Sequence, residues 1–191
     1  MKVVIETERL ILRELEYTDE QDLYEMDSDP EVHLFIENNP VKSIEEITKV
    51  IEMLKAQYSE NGIARWAVVD KLTNECVGWS GLKFFNKPLN NHNNFYELGF
   101  RFKKIHWGKG FATESSIAIL DYGFKHLNIH SIYAITDPQN FNSKKVLAKL
   151  GFDFEETFDY EGDPTNWFEL KKTNWEKLYT NLTSNIRTCI E

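Results

Sequence analysis

The feature that most constrains the fold is a strand-like run, a turn with two glycines, a helix-like run and a second strand-like run, in that order. "FYELGFRF" is rich in strand-favouring aromatic residues, and Gly108 and Gly110 follow it in "HWGKGFATES". From about Thr113 to His126, apolar residues recur at helical spacing, and "HSIYAIT" is again strand-like. A strand–helix–strand unit in one sheet is almost always a right-handed parallel crossover. The sequence therefore predicts an α/β chain with a mixed sheet.

Capping patterns predict two helices before this unit. Thr18 with Gln21, and Ser43 with Glu46, have the spacing of a capping box at a helix start. Apolar residues after Ser43 fall at helical spacing, and Gly62 stands where the second helix should end. We therefore expect one short and one long helix in this part of the chain.

The remaining segments complete the sheet. Further strand-like runs are "ERLILREL", "RWAVVD", "ECVGWSGLKFF", "FDFEETF" and "NWFELKK". The helix-like run "NSKKVLAKLG" is predicted to be capped by Asn140 or Asn142 and to end at Gly151. We expect one domain over residues 1–180, followed by a C-terminal tail over 181–191.

Composition narrows the class of protein. Of the 191 residues, 41% are hydrophobic, which is enough for a sizeable core. The net charge of −9 disfavours nucleic-acid binding, which depends on phosphate neutralisation. No apolar run approaches the roughly 20 residues of a membrane span, and "MKVVIETERL" lacks the apolar core of a signal peptide. Cys76 and Cys189 form no disulfide framework, and no metal-ligand spacing occurs. We expect a cytoplasmic protein without membrane, nucleic-acid or metal binding.

The two glycines have two interpretations. They allow a tight turn with positive φ, and they also let an anion approach the unpartnered N–H groups at a helix start. A P-loop is excluded because its GxxxxGK[ST] spacing is absent. A dinucleotide site is disfavoured because Thr113 replaces its third glycine, although Asp137 stands near the end of the next strand. Coenzyme A is the third candidate ligand.

Five segments in order resemble the GNAT N-acetyltransferase superfamily, and most of all its RimJ/RimL-type branch of ribosomal-protein N-terminal acetyltransferases. They are "TERLILREL", "YELGFRF", "WGKGFATES", "DPQNFNSKKVLAKLGF" and "WFELKKTNW", spanning about residues 5 to 178. The resemblance implies the GNAT fold, a twisted, mostly antiparallel sheet of about six to seven strands with a central parallel β-α-β crossover and flanking helices. It also implies an acyltransferase that uses acetyl-CoA as donor and acetylates a primary amine in a direct ternary complex.

The resemblance assigns the cofactor site. The acetyl-CoA signature Q/R-x-x-G-x-G/A falls on residues 107–112, with Trp107 in place of Gln or Arg. It implies that main-chain N–H groups hold the pyrophosphate and that the edge of "YELGFRF" pairs with the pantetheine amides, as an added strand would. Asn140 matches an asparagine that contacts the CoA arm in many members. The implied cofactor-binding residues are Phe100, Arg101, Phe102, Gly108, Lys109, Gly110, Phe111, Ala112, Thr113 and Asn140.

The implied reaction needs a neutral amine. An α-amine with a pKa of about 7.7–8.0 is roughly one-tenth neutral at pH 7, whereas a lysine is about 0.04% neutral. Glu97 matches a strand glutamate that acts as base in other branches, and it could instead anchor the substrate ammonium; Glu161 and Glu169 are weaker alternatives. Leu147 replaces the tyrosine that many members use as acid. Ser143 matches an N-x-x-S serine proposed to protonate the thiolate, and it could instead help to cap the helix.

The acceptor is the least determined part of the prediction. A protein N-terminus is the first expectation, with polyamine, antibiotic or amino-acid amines as alternatives. A CoA-binding module without turnover is the rival from another class. Trp66, Trp79 and Trp167 are candidates for lining the acceptor site, although an aromatic core is the commoner use, and "NKPLNNHNN" is predicted to be a surface loop near its entrance. The sequence does not fix the oligomeric state, and a homodimer stays open.

Overall fold

One nine-stranded sheet with helices on both faces accounts for most of the chain in a computed structural model that describes residues 3–36, 38–179 and 186–190. The strands are β1 (Val3–Glu6), β2 (Leu10–Arg13), β3 (Arg65–Asp70), β4 (Cys76–Phe85), β5 (Phe95–Phe102), β6 (Ser131–Thr136), β7 (Asp153–Tyr160), β8 (Asp163–Lys171) and β9 (Arg187–Ile190). The helices are α1 (Glu20–Asp27), α2 (Ile44–Asn61), α3 (Phe111–His126), α4 (Phe141–Leu150) and α5 (Lys172–Tyr179).

The sheet is mostly antiparallel, as predicted. Its strand order is β7-β8-β6-β5-β4-β3-β2-β1-β9. Among the described strands, only β5 and β6 run parallel, and α3 connects them, which confirms the central crossover. The sheet has nine strands where six to seven were expected, because β1 and β9 were not predicted. The helix α5 was not predicted either. β9 lies in the segment assigned to a tail and pairs with β1. β1 pairs with both β2 and β9, so pairing with neighbouring strands is what orders these short segments.

The start of α1 differs from the predicted capping box at Thr18 and Gln21. A single 3₁₀ turn covers Tyr17–Asp19, and α1 begins at Glu20. The Glu16 N–H donates to Asp19 Oδ2 at 2.9 Å. Arg13 donates to both oxygens of Asp19 at 2.7 Å and holds this carboxylate in place. The capping box is therefore formed by Glu16 and Asp19 at the start of the 3₁₀ turn, two residues before the predicted one.

The start of α2 agrees with the sequence in position but not in its hydrogen bonds. Ser43 is the N-cap residue in an extended conformation, but its side chain makes no cap hydrogen bond, so the predicted capping box with Glu46 does not form. The Glu46 carboxylate instead accepts from the Lys42 N–H at 3.2 Å. The C-terminal ends agree with the sequence: Gly62 follows α2 with φ of +71°. Gly151 follows α4 with φ of +85°. At both C-terminal positions the left-handed backbone favours glycine, which is why the sequence signal is reliable there.

The two faces of the sheet carry different helices. Successive residues of a strand point to opposite faces, so Glu97 and Arg101 share one face of β5 and Leu98 lies on the other. Gly123 of α3 packs so closely on the Leu98 side that a Cβ there would lie 2.8 Å from Leu82 Cδ1. Asp27 of α1 instead binds Arg101 at 2.7 Å. We call these the α3 face and the α1 face.

None of the helices in the described part of the chain has both the length and the apolar character that a membrane span requires.

Candidate active site

A cleft opens between the two parallel strands at the centre of the sheet. β5 and β6 pair at two positions, Tyr96 with Ile132 and Glu97 with Tyr133. No further pair joins them within the described residues, although β5 continues through Leu98–Phe102 alongside β4. The two strands therefore separate after Glu97 and leave a wedge that widens toward their carboxyl ends. We call the point of separation the apex.

The free edge of β5 along this wedge contains Phe100, Arg101 and Phe102, the residues predicted to pair with the pantetheine arm. The side chain of Arg101 is engaged with Asp27 on the α1 face, and Phe102 is buried. The main chain is thus what the edge can offer to an extended ligand. Trp107 donates from its indole Nε1 to the Phe102 carbonyl at 2.8 Å, which gives this departure from the family signature a structural role.

The glycine turn lies at the open end of the cleft. Gly108 and Gly110 have φ of +74° and +86°. The Glu114 N–H donates to the Gly110 carbonyl at 3.0 Å and closes the first turn of α3. The N–H groups of residues 111–113 precede that bond and have no acceptor within the helix. The turn therefore needs glycine for its backbone and also presents the N–H groups that a phosphate would require.

Arg9 fastens this turn to the β1–β2 hairpin. Its guanidinium donates to the Lys109 carbonyl at 2.9 Å and to Glu114 Oε2 at 2.7 Å, and it lies 4.8 Å from the centre of the Phe111 ring. Thr7 donates from its hydroxyl to Glu114 Oε1 at 2.6 Å. Arg9 was not predicted from the sequence, because its partners Lys109 and Glu114 follow it by 100 and 105 positions.

Lys103 fastens the other side of the turn. Its ammonium lies among the carboxylates of Asp22, Glu25 and Glu75, at 2.8, 2.8 and 2.6 Å. Burial opposes the charge, but the hydrogen bonds from the three carboxylates outweigh it and hold the pKa of Lys103 above its ordinary value. The cluster of carboxylates is thus matched by a cation of the protein itself.

Glu97 lies at the apex on the α1 face and is 6% exposed. Its Oε2 forms an ion pair with Arg65 Nη2. Arg65 Nη1 also donates to the main-chain carbonyls of Glu97 at 2.9 Å and Gly81 at 2.7 Å. Within the described residues, Glu97 Oε1 makes no hydrogen bond to protein, so this oxygen is the one available to a substrate.

Arg65 was not predicted from the sequence either. Two glycines inside strands were the available signal, because such glycines often mark a close approach of another group. Gly81 lies opposite both Arg65 and Gly99 in the sheet. A Cβ on Gly99 would lie 2.6 Å from Arg65 Nη2, so the guanidinium fills the space that this glycine leaves.

Lys83 adds a second cation beside the apex. It lies directly opposite Glu97 in the β4–β5 ladder and is half-buried, with Nζ 4.3 Å from the centre of the Phe85 ring. No carboxylate of the described residues pairs with it. Burial lowers its pKa; the charge of Glu97 opposes this effect and that of Arg65 adds to it. The apex therefore holds two cationic side chains and one carboxylate.

Aromatic rings continue the α1 face beyond the apex. His92, from the predicted surface loop, lies 4.7 Å from the ring of Tyr133 and 5.1 Å from that of Trp167. Trp79 has the guanidinium of Arg65 5.2 Å from its ring centre, whereas Trp66 packs against Tyr122 of α3. Trp79 and Trp167 are thus on the side of Glu97, and Trp66 belongs to the opposite core.

The alternative carboxylates lie farther from the apex. Glu169 accepts from the Tyr133 hydroxyl at 3.3 Å and contacts Lys171 at 3.4 Å. Glu161 forms the tip of the β7–β8 hairpin with Gly162. Of the three predicted carboxylates, Glu97 is the one at the point where β5 and β6 separate.

Asn140 and Ser143 lie across the cleft from the glycine turn, because α4 follows the carboxyl end of β6. Asn140 Oδ1 accepts from the Ser143 N–H at 3.0 Å, so Asn140, and not Asn142, caps α4. Ser143 is half-buried, and its hydroxyl makes no hydrogen bond within the described chain. Leu147, one turn later, is 1% exposed and belongs to the core.

The fold is that of an acetyltransferase, and the chain belongs to the acetyltransferase (GNAT) domain family, whose model matches residues 9–153. It is 36% identical over 156 residues to the uncharacterized N-acetyltransferase p20 of Bacillus licheniformis, covering 81% of this chain and 85% of that protein. The protein is thus an acyltransferase of a family that uses acetyl-CoA.

Two solved structures share the fold. The ribosomal-protein-S5-alanine acetyltransferase of Vibrio fischeri has a TM-score of 0.72 at 22% identity, covering 90% of this chain and 98% of that one. The spermidine N-acetyltransferase of Vibrio cholerae, in complex with CoA and spermine, has a TM-score of 0.69 at 22% identity, covering 87% and 98%. The fold is therefore shared by proteins named for a ribosomal-protein acceptor and for spermidine.

Proposed function

We propose that this acetyltransferase moves the acetyl group of acetyl-CoA to the α-amine of a protein N-terminus. One observation carries the choice of acceptor: the charge at the apex. Arg65 already neutralises Glu97, and Lys83, which pairs with no carboxylate among the described residues, adds a positive charge beside them. The site therefore favours an amine that arrives neutral over a substrate that carries several positive charges.

The size of this effect is sufficient to matter. At a separation of about 6 Å and an effective dielectric constant of about 20, two like charges repel by about 2.8 kcal/mol. That energy corresponds to about two pKa units of an amine. An α-amine, with a pKa already near 8, is thereby shifted toward its reactive form, whereas each extra ammonium of a polyamine adds repulsion.

The cofactor is expected to lie along the wedge. Among residues 108–113, the N–H groups other than that of Lys109, which donates to the His106 carbonyl at 3.4 Å, would hold the pyrophosphate. The edge Phe100–Phe102 would pair with the pantetheine amides. From Phe102 back to Glu97 the strand rises about 17 Å at roughly 3.3 Å per residue. An arm that follows this edge therefore delivers its thioester toward the apex, and Asn140 on the opposite wall supplies an amide to contact it.

The proposed chemistry uses two groups that make no hydrogen bond within the described residues, Glu97 Oε1 and the Ser143 hydroxyl. The amine nitrogen forms a bond to the acetyl carbon, the carbon–sulfur bond breaks, and the sulfur leaves as thiolate. Glu97 Oε1 receives the amine proton directly or through water, or it holds the incoming amine in place. Ser143, whose hydroxyl makes no hydrogen bond in the described chain, donates a proton to the thiolate and regains one from solvent.

Kinetics with a matched panel test the acceptor. The panel contains a short peptide with a free N-terminus and no lysine, the same peptide with a blocked N-terminus and one lysine, and spermidine. We expect kcat/KM to be highest for the free N-terminus. Preference for spermidine or for the lysine peptide would overturn the choice of acceptor, and CoA binding without turnover of any amine would identify a CoA-binding module.

A further inference from the structure

Arg65, on the α1 face, makes several contacts through its guanidinium. Arg65 binds Glu97 twice, at the side-chain carboxylate and at the main-chain carbonyl, the latter at 2.9 Å. It also donates to the Gly81 carbonyl of the intervening strand β4 at 2.7 Å. Its side chain is 13% exposed and stacks beside Trp79. A guanidinium presents several donors in one rigid plane, which a lysine ammonium cannot reproduce.

Gly99 makes room for the guanidinium, whereas a Cβ on Gly81 would meet the main chain of β3. Gly81 and Gly99 pair across β4 and β5, and Arg65 reaches over both. The three atoms nearest to a Cβ built on Gly99 all belong to the guanidinium, at 2.6, 2.7 and 3.0 Å. Glycine inside a strand costs stability. The neighbouring Arg65 guanidinium explains why glycine occupies position 99, because even the methyl group of an alanine there would displace the guanidinium.

We propose that Arg65 is a positioning residue of the acetyl transfer. By binding Oε2 and the carbonyl of Glu97, it fixes the carboxylate at the apex and directs Oε1 alone toward the acceptor amine. It also decides which cation Glu97 pairs with: Lys83 lies directly opposite Glu97, but the Glu97 carboxylate pairs with Arg65 and Lys83 pairs with no carboxylate of the residues that the structure describes. The proposal rests on the role of Glu97 in the reaction and is independent of which amine is acetylated.

The structure offers two separate ways to disturb this contact. Arg65→Ala removes the guanidinium, and Gly99→Ala displaces it while leaving its charge in the protein. Each variant should lower kcat/KM for the acceptor by roughly ten- to hundred-fold, as expected for loss of a hydrogen bond to a charged group. Affinity for CoA should stay within about two-fold, because the glycine turn and the outer edge of β5 are untouched.

A double-mutant cycle distinguishes positioning from a general structural role. In Arg65→Ala/Gly99→Ala the added methyl no longer meets a guanidinium, so the double variant should be no slower than Arg65→Ala alone. Guanidinium ion at a non-denaturing concentration should partly restore turnover to Arg65→Ala, whereas Arg65→Lys should restore less because it lacks the planar fork. The acceptor is whichever amine the native enzyme turns over best, so the outcome is independent of the acceptor assignment.

Arg13→Ala is the matched control. It removes another partly buried arginine–carboxylate pair, with Asp19, away from the apex. It should lower thermal stability and leave kcat/KM unchanged. Additive losses in the double variant, or losses in Arg65→Ala that Arg13→Ala reproduces, would overturn the proposal. If Arg65→Ala does not fold, Gly99→Ala and Arg65→Lys still decide it: unchanged kcat/KM in both refutes the positioning role.

Discussion

Gly110→Ala separates the two roles of the glycine turn, backbone geometry and anion binding. The residue has φ of +86°, and an added Cβ would lie 3.3 Å from Arg9 Nη2, a contact that a small shift of the side chain relieves. An L-residue in this left-handed conformation costs about 1–2 kcal/mol. For a chain of 191 residues, each 1 kcal/mol lowers Tm by about 2–4 °C, so we expect a decrease of about 2–8 °C.

The effect on CoA should be larger than strain alone would give. Gly110 is the residue before the free N–H groups of α3, so a methyl there stands where the pyrophosphate is expected to approach. Loss of one hydrogen bond to a charged group costs about 1.5–3 kcal/mol. The Kd for CoA should therefore rise roughly ten- to hundred-fold. Calorimetry at a temperature well below Tm measures this affinity on folded protein.

Gly62→Ala supplies the control for strain. Gly62 has φ of +71° at the end of α2, and no atom lies within 4 Å of an added Cβ. The same loss of stability is expected there, with unchanged affinity for CoA. If the two variants lose equal stability and both retain native CoA affinity, the glycine turn does not hold the pyrophosphate.

Four further changes test the chemistry and the charges. Ser143→Ala should lower kcat by about a hundred-fold or more with unaltered CoA affinity; native kcat with rate-limiting chemistry would leave the serine a structural role. If Glu97 is the base, Glu97→Gln should depress kcat/KM at neutral pH, and kcat/KM should recover as the pH rises. If Glu97 anchors the substrate, the substitution should raise KM, and a higher pH should not restore it. Lys83→Glu should shift the ratio of kcat/KM for spermidine over the peptide upward by about ten-fold or more, since it replaces repulsion by attraction; an unmoved ratio contradicts the charge argument. Burial, and then the charge of Lys109, lower the pKa of His106 below its ordinary 6.5, so the unfolded chain takes up that proton first as pH falls. Stability should thus decline below about pH 6.5, and His106→Gln should flatten this decline in a series of thermal melts; an identical slope would show that other groups titrate.

Features with a local physical cause could be predicted from the sequence. The helix ends at Gly62 and Gly151, the cap at Asn140 and the two glycines of the turn depend on backbone conformations that few residues adopt or on bonds across three positions. The parallel crossover follows in the same way, because the handedness of the chain leaves one arrangement for a strand, a helix and a strand in one sheet.

The features that only the tertiary structure decided depend on partners far apart in the chain. β1 and β9 are strands because they pair with each other across almost the full length of the protein. Arg65 and Glu97 are 32 positions apart, and neither residue alone indicates that Arg65 occupies Oε2 and leaves Oε1 free. The sequence could identify Glu97 as a carboxylate on the right strand. Its neighbours in space, which set the charge around it, became defined only when β3, β4 and β5 were placed side by side.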